Sequence, residues 1–235
     1  MQTTTLWTAL EHNWRGFGWP RLRAHVALAL LSLAGIAAIK VFYVPRGGLD
    51  YVITIGAGYV SLLLIGISLI IGPLWLIVRR RNPVNVYLRR DVGIWAGITG
   101  LLHVGFGLFL NARGNILSNF LRLDSDDAPR LLLEGRGLSN YVGLIATLVL
   151  IVLLVTSSDL MLRRLKGKRW KTVQRLNYLL AGLALAHTLI YQQAGGREPP
   201  FGDLTLMLTL IVLIWQMTGM LLYRTWQRRL GTQAR

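Results

Sequence analysis

The chain has 235 residues, of which 53% are apolar and 15% charged, and its mean hydropathy is +0.48. Its 26 Lys and Arg against 10 Asp and Glu give a formal net charge of +16. High hydropathy with strong positive charge predicts apolar membrane spans separated by basic loops. A nucleic-acid-binding protein would instead carry a soluble basic face, so we expect no nucleic-acid partner. The absence of cysteine excludes disulfides, thiolate ligands and iron–sulfur clusters.

Six apolar segments reach about 20 residues, the length that a helix needs to cross a bilayer. They are predicted near residues 23–43, 52–77, 92–111, 138–161, 176–194 and 204–223. Between them no segment is long enough for a soluble domain. We therefore expect one all-α transmembrane domain over residues 1–235, an integral membrane six-helix bundle.

The basic loops predict the orientation of this bundle. If both termini are cytoplasmic, most of the 26 Lys and Arg fall on the inner side and most acids fall outside, as the positive-inside rule favours. Arg21, Arg89 and Arg90 belong to this inner set, for which solvated, orienting charge is a sufficient explanation. Anionic lipid headgroups are an alternative partner for the same loops. Contact with membrane lipid is expected in either case.

Two of the four histidines lie inside apolar runs, His103 in LLHVGFG and His187 in LALAHTLIY. Under this topology the third and fifth spans run in the same direction. Each histidine follows the inner end of its span by 12 residues, which places both at a depth of roughly 18 Å. Two imidazoles at equal depth can bind opposite faces of one haem iron. Gly100 and Gly107 share the helix face of His103 and leave room there for a flat ring.

A structural role for these residues remains open. A membrane histidine can hydrogen-bond between helices, and glycines are common where membrane helices pack closely. On the helix face of His187, Ala184 is small, whereas Leu183, Ile190 and Tyr191 are bulky. Ionisable side chains inside a membrane are costly, however, and more often serve a function. We therefore interpret His103 and His187 as metal ligands, with Gly100 and Gly107 in the cofactor-binding surface. No catalytic residue is predicted.

Two blocks of sequence accompany the histidines. The first is RRDVGIW at 89–95, followed by His103, and the second comprises TSS at 156–158, RRLKGKRW at 163–170 and NY at 177–178, followed by His187. Together they resemble the ferric-reductase-like transmembrane family over residues 50–193. The resemblance implies a six-helix bundle of the bacterial inner membrane that holds b-type haem between His103 and His187. It also implies electron flow from a separate cytoplasmic donor, a flavin reductase or quinol, to an outer-face acceptor protein or small molecule, with FMN or a quinone as a further carrier.

Departures from the family predict one haem. Members with two haems carry a second histidine about 13 residues earlier on each helix, where this chain has Arg90 and Gln174. Neither residue is a usual haem ligand. The members that the chain most resembles also carry tyrosines near the ligands, at positions held here by Gly107 and Thr188.

Electron transfer is the leading hypothesis, with the chain as the electron-transfer subunit of an oxidoreductase system. The alternative is a non-redox scaffold or assembly subunit that kept the fold without haem, as the missing inner ligands would allow. A transporter would more often carry acidic residues deep in a span, and none is predicted here.

Overall fold

A computed structural model describes residues 19–79, 86–112, 115–122, 128–196 and 201–233. Within these ranges the chain forms seven α-helices and one small hairpin. The helices are α1 (Trp19–Phe42), α2 (Leu49–Arg79), α3 (Val86–Ala112), α4 (Gly135–Thr156), α5 (Asp159–Gln174), α6 (Leu176–Gly195) and α7 (Phe201–Gln233). Between α3 and α4 lie a 3-10 turn, Ile116–Asn119, and two antiparallel strands, β1 (Leu121–Arg122) and β2 (Arg130–Leu131).

Five helices of the described part are long and apolar enough to cross a membrane, namely α1, α2, α3, α4 and α7. The chain is therefore an all-α, multi-pass membrane protein. The remaining predicted span, 176–194, coincides with α6, which forms as a helix but does not reach the same hydropathy. Its Asn177, His187, Gln192 and Gln193 lower the average. The count of six spans and the cytoplasmic location of both termini remain predictions.

Helix α2 is the centre of the bundle. Of its most apolar stretch 67% is buried, whereas the other four apolar helices bury 11–28% of theirs. It packs most extensively against α3, and it also contacts α1, α6 and α7. A second pair forms where α4 packs along α6. The two predicted ligands lie on one member of each pair, since His103 belongs to α3 and His187 to α6.

Two charged residues at the start of α3 and one on α1 are buried, contrary to the solvated role expected for the arginines from sequence. Arg21 is 4% exposed, Arg90 is 3% exposed and Asp91 is fully buried. Helix α3 begins at Val86, earlier than the predicted span, so Asp91 lies within the helix. Its Oδ1 atom accepts hydrogen bonds from Nε and Nη2 of Arg21 at 3.3 and 3.2 Å. This ion pair could not be predicted from the sequence because its two members are 70 residues apart.

The basic segment after α4 is helical, with an internal kink. Ser158 caps α5 by accepting a hydrogen bond from the backbone N–H of Met161 at 3.3 Å. At Lys166 the backbone adopts φ 55° and ψ 157°, which redirects the second half of the helix. That half returns to the bundle, because Trp170 is buried and its Nε1 donates to the carbonyl oxygen of Thr156 at 2.9 Å.

Candidate haem site

The imidazole rings of His103 and His187 meet in the interior of the bundle. Their centroids are 5.9 Å apart and their planes are inclined by 74°. Both rings line one cavity of about 200 Å³ between α2, α3, α4 and α6. The sequence predicted equal depth for the two histidines, and the structure brings their rings together.

Each imidazole is oriented by a backbone carbonyl on the neighbouring helix. Nδ1 of His103 lies 2.7 Å from the carbonyl oxygen of Thr54 on α2, and Nδ1 of His187 lies 2.8 Å from that of Ser139 on α4. Because a carbonyl oxygen can only accept, Nδ1 carries the proton in both rings. A neutral imidazole with this tautomer has its lone pair on Nε2, the nitrogen that then coordinates a metal.

A glycine one turn after each carbonyl makes room for the ring. A Cβ atom on Gly58 would lie 2.7 Å from Nδ1 of His103, and one on Gly143 would lie 2.8 Å from Nδ1 of His187. Gly58 follows Thr54 by four residues, and Gly143 follows Ser139 by four. Residues four apart share a helix face, so each ring lies over the glycine and reaches the preceding carbonyl. The two halves of the site are built alike.

Ser139 adds a second attachment on the His187 side. Its hydroxyl donates to the carbonyl oxygen of His187 at 2.8 Å and lies 3.0 Å from Nδ1 of the same residue. Since the hydroxyl proton is engaged with the carbonyl, Oγ acts as an acceptor towards Nδ1. Ser139 is fully buried, so water does not compete for these contacts.

The two glycines predicted from sequence also line the cavity, although their closest neighbours are not the rings. A Cβ atom on Gly100 would lie 2.7 Å from Cδ2 of Leu150 and 3.0 Å from Oγ of Ser61. Gly100 therefore allows α2 and α4 to approach α3. A Cβ atom on Gly107 would make only an ordinary contact, at 3.4 Å, with Cγ2 of Thr54.

Sequence reasoning missed Thr54, Gly58, Ser139 and Gly143. A signal was present, because TIGAG at 54–58 and SNYVG at 139–143 both place a small hydroxyl residue four positions before glycine, a pattern typical of close helix contacts in membranes. Which histidine each pattern faces depends on tertiary packing and is not readable from the sequence.

Two residues between α3 and α4 contribute to the wall of the cavity. Asn119 and Phe120 line it, and both are fixed to α4. Asn140 Nδ2 donates to the carbonyl oxygen of Asn119 at 2.9 Å, and the Tyr141 hydroxyl donates to that of Phe120 at 2.8 Å. These two hydrogen bonds attach this part of the cavity wall to α4.

Towards α5 a second cavity of about 340 Å³ lies next to the first. Arg90 and Gln174, the residues at the positions of a second pair of histidines in two-haem members, both line it. The structure thus brings these two residues to one cavity. Neither side chain is a usual iron ligand.

The donor set around the histidines fits a haem better than a bare ion. Within the described residues no three His, Cys, Asp or Glu side chains gather, whereas protein-bound transition metals commonly take three or four such ligands. A porphyrin supplies four nitrogens of its own, so its iron would need only the two imidazoles, whose centroids lie 5.9 Å apart.

Comparison with known proteins confirms the resemblance seen in the sequence. The family described as ferric reductase like transmembrane component matches residues 57–196. The protein-methionine-sulfoxide reductase heme-binding subunit MsrQ of Herminiimonas arsenicoxydans is 30% identical over 183 residues, which cover 75% of this chain and 72% of that protein. Subunits with the same name from Salmonella paratyphi B and Salmonella newport are 32% identical over 109 residues, covering 46% of this chain and 49% of theirs.

The family match includes both histidines, the glycines beside them and the basic helix α5. Since it covers more than half of the sequence, the chain belongs to the ferric-reductase-like transmembrane family.

Proposed function

We propose that this protein is a b-type membrane cytochrome with a single haem, held by His103 and His187. The observation that carries the proposal is the pair of imidazoles from two separate helices, 5.9 Å apart, each with Nδ1 directed to a backbone carbonyl. If the two histidines served only to hydrogen-bond neighbouring helices, their rings would not need to line the same cavity. The names of the similar heme-binding subunits support the same cofactor.

When bound, the haem would supply reversible one-electron chemistry. The residues of this chain hold and tune it. The carbonyl oxygens of Thr54 and Ser139 fix the proton on Nδ1, which raises the basicity of the coordinating nitrogen. Leu150, Ala146 and Leu180 give the cavity an apolar wall. Gly100 and Gly107 belong to the surface that faces the cofactor.

We further propose that electrons pass from a cytoplasmic-side donor, a flavin reductase or quinol, to an acceptor protein or small molecule at the outer face of the bacterial inner membrane. A single haem follows from Arg90 and Gln174, which replace imidazoles at the inner positions. FMN or a quinone would then serve as the carrier between the donor and the haem. The chain acts in this scheme as the electron-transfer subunit of an oxidoreductase system.

The test is the visible spectrum of protein purified in mild detergent with haem supplied. We expect a sharp α band after dithionite reduction, typical of six-coordinate b haem, and its loss in both His103→Ala and His187→Ala. Gln193→Ala is the matched control, because Gln193 is exposed on α6, the helix of His187, and does not line the cavity. A featureless spectrum from folded, haem-supplied protein would contradict the proposal and leave the non-redox scaffold as the better account.

A further inference from the structure

The segment between α3 and α4 exposes large apolar side chains. Ile116 and Leu117 belong to the 3-10 turn, Leu131 belongs to β2, and Leu133 lies two residues further along the chain. Each of them is 41–60% exposed. We call these four residues the loop patch. Groups of exposed large apolar side chains mark contact with another protein or with a membrane.

The small hairpin has two different faces. Leu121 and Leu131 are cross-strand partners, and Arg122 and Arg130 form the adjacent pair. Because successive residues of a strand point to opposite faces, the two leucines share one face and the two arginines share the other. Both arginines are exposed. An apolar face opposite a charged face is typical of polypeptide that lies along a membrane surface.

The segment is attached to helix turns that belong to candidate membrane spans. Nδ2 of Asn119 donates to the carbonyl oxygen of Leu108 on α3 at 3.2 Å. On the other side, the rings of Phe120 and of Tyr141 on α4 have their centroids 5.4 Å apart. Both Leu108 and Tyr141 lie within the stretches of their helices that are apolar enough to cross a membrane. The loop patch is therefore held close to the level at which these helices would leave the bilayer.

The exposed apolar surface of the two helices leads towards the loop patch. Phe109, in the last turn of α3, and Leu138, in the first turn of α4, are both exposed. Exposed apolar side chains on a spanning helix face the acyl chains of the lipid. Along the chain the loop patch lies between these two residues, so the same lipid is its nearest apolar partner.

Charge and backbone structure determine how deeply the segment can enter the bilayer. Residues 113–137 contain four arginines and four acidic residues, so their formal charges cancel. Burial of apolar side chains, rather than attraction to anionic headgroups, must therefore supply the binding free energy. Backbone groups without hydrogen bonds do not enter hydrocarbon, and strands of two residues pair few of them. The segment thus fits the headgroup region, with only its apolar side chains reaching the acyl chains.

We propose that the segment between α3 and α4 lies in the headgroup region of the bilayer, with the loop patch inserted among the acyl chains. Apolar faces of such interfacial elements penetrate by about 5–10 Å. Asn119 and Phe120, which follow the turn residues of the patch, line the cavity of the two histidines. That part of the cavity wall then lies at the depth of the headgroups. Under the proposed topology the leaflet is the outer one, whereas insertion itself depends neither on that orientation nor on haem.

The experiment uses single-cysteine variants, because the chain has no cysteine of its own and every label is therefore unique. Leu117→Cys and Leu131→Cys carry a nitrobenzoxadiazole fluorophore in nanodiscs that hold one copy of the full chain and no other protein. The quenchers are a lipid with a nitroxide near the top of its acyl chain and aqueous iodide. At both positions we expect blue-shifted emission, strong quenching by the lipid and weak quenching by iodide.

Two further labelled variants are the matched controls. Ser118→Cys tests the turn, because Ser118 is an exposed polar neighbour of Leu117, and Arg122→Cys tests the charged face of the hairpin. The ratio of lipid quenching to iodide quenching should be lower in each control than in its leucine counterpart. This comparison also shows that the fluorophore does not itself pull the segment into the lipid.

A second comparison changes the apolar contact without moving the label. With the fluorophore on Leu117→Cys, the added double substitution Leu131→Ser with Leu133→Ser should lower the quenching by lipid. Arg122→Ser, added to the same labelled variant, should leave this quenching unchanged. Equal effects of the two changes would contradict the proposal.

The quenching results separate lipid from the other partners. If either leucine position gave the same ratio as its control, the proposal would be overturned. Leucine positions open to iodide would instead identify a docking surface for another protein, such as an acceptor or a second copy. Positions closed to both quenchers would show that the chain itself covers the patch, which would overturn the proposal as well.

Discussion

Both histidines of the cavity depend on a neighbouring helix for their orientation. The hydrogen bond from each Nδ1 ends on a backbone carbonyl, so no side-chain substitution at Thr54 or Ser139 removes the acceptor itself. Substitution of Gly58 or Gly143 would instead disturb the ring directly, because a side chain there would overlap the imidazole. The orientation of the two imidazoles therefore depends most on Gly58 and Gly143, which have no side chain that could bind a metal.

Gly58→Ala and Gly143→Ala are expected to lower haem occupancy. The added Cβ atom would lie 2.7 or 2.8 Å from Nδ1 of the corresponding histidine, so the ring must shift. Metal-binding geometry tolerates displacements of only about 0.5 Å. The measurement is the haem-to-protein ratio after reconstitution, together with the α band. Gly105→Ala on α3 is the control, since a Cβ atom there meets no other atom within 4 Å. Full haem occupancy in both Gly58→Ala and Gly143→Ala would show that the position of the imidazole rings does not depend on these glycines.

Ser139→Ala should have a small effect, in contrast to the glycine variants. It removes the hydroxyl that contacts His187 at 2.8 and 3.0 Å, but the carbonyl acceptor of Nδ1 remains. Side-chain hydrogen bonds between membrane helices contribute about 0.6 kcal/mol on average. We expect unchanged haem stoichiometry and a slightly lower thermal midpoint in detergent. Loss of haem in this variant would mean that the hydroxyl, rather than the carbonyl, orients His187.

At the scale of helices, the attachment of α1 depends on a small buried network. Arg21 donates to Asp91 at 3.2 Å, and Nε2 of His25 lies 3.6 Å from the same oxygen. Trp95 Nε1 donates to Nδ1 of His25 at 3.1 Å, which leaves the proton of a neutral His25 on Nε2, facing Asp91. The network connects α1 to the first turns of α3, the helix that carries His103.

Asp91→Ala is expected to destabilise the protein by about 3–5 kcal/mol, because it leaves the guanidinium of Arg21 buried without its counter-ion. The double variant Arg21→Leu with Asp91→Leu should recover much of this loss, since neither member of the pair is then left buried without the other. Thermal unfolding in detergent measures both. Arg23→Ala, an exposed cation on α1, is the control. Equal stability of Asp91→Ala and the control would show that the pair does not hold α1.

The apolar runs predicted helices α1 to α4, α6 and α7, whereas the basic helix α5, the start of α3 and the role of its charges could not be predicted. Arg90 and Asp91 look like loop residues in the sequence because charge normally ends a membrane span. Asp91 is buried against Arg21 of α1, and Arg90 lines the second cavity. Both environments are formed by distant parts of the chain. The same reason explains why His103 and His187 could be predicted as a pair while Gly58 and Gly143 were missed.

At the scale of the whole molecule, the status of α6 decides the topology. In the part of the chain that the structure describes, five helices are apolar enough to span, and α6, which carries one of the two histidines, is not among them. Two of its polar side chains hydrogen-bond to other helices of the bundle. Gln192 is 8% exposed and donates to the hydroxyls of Tyr59 and Thr205, and Asn177 donates to Ser68. A polar residue with protein partners is compatible with a membrane span, so low average hydropathy does not exclude α6.

Reporter fusions test this arrangement. Alkaline phosphatase, active only outside the cytoplasm, and green fluorescent protein, fluorescent only inside, would be joined in turn after Leu133, after Arg175, after Gly196 and at the C-terminus. With six spans and a cytoplasmic N-terminus, we expect outside, inside, outside and inside. If α6 does not span, the last two positions exchange sides while the first two remain unchanged. Because α6 supplies His187, that second result would also place its imidazole outside a transmembrane cavity and would remove the basis for a haem between two spanning helices.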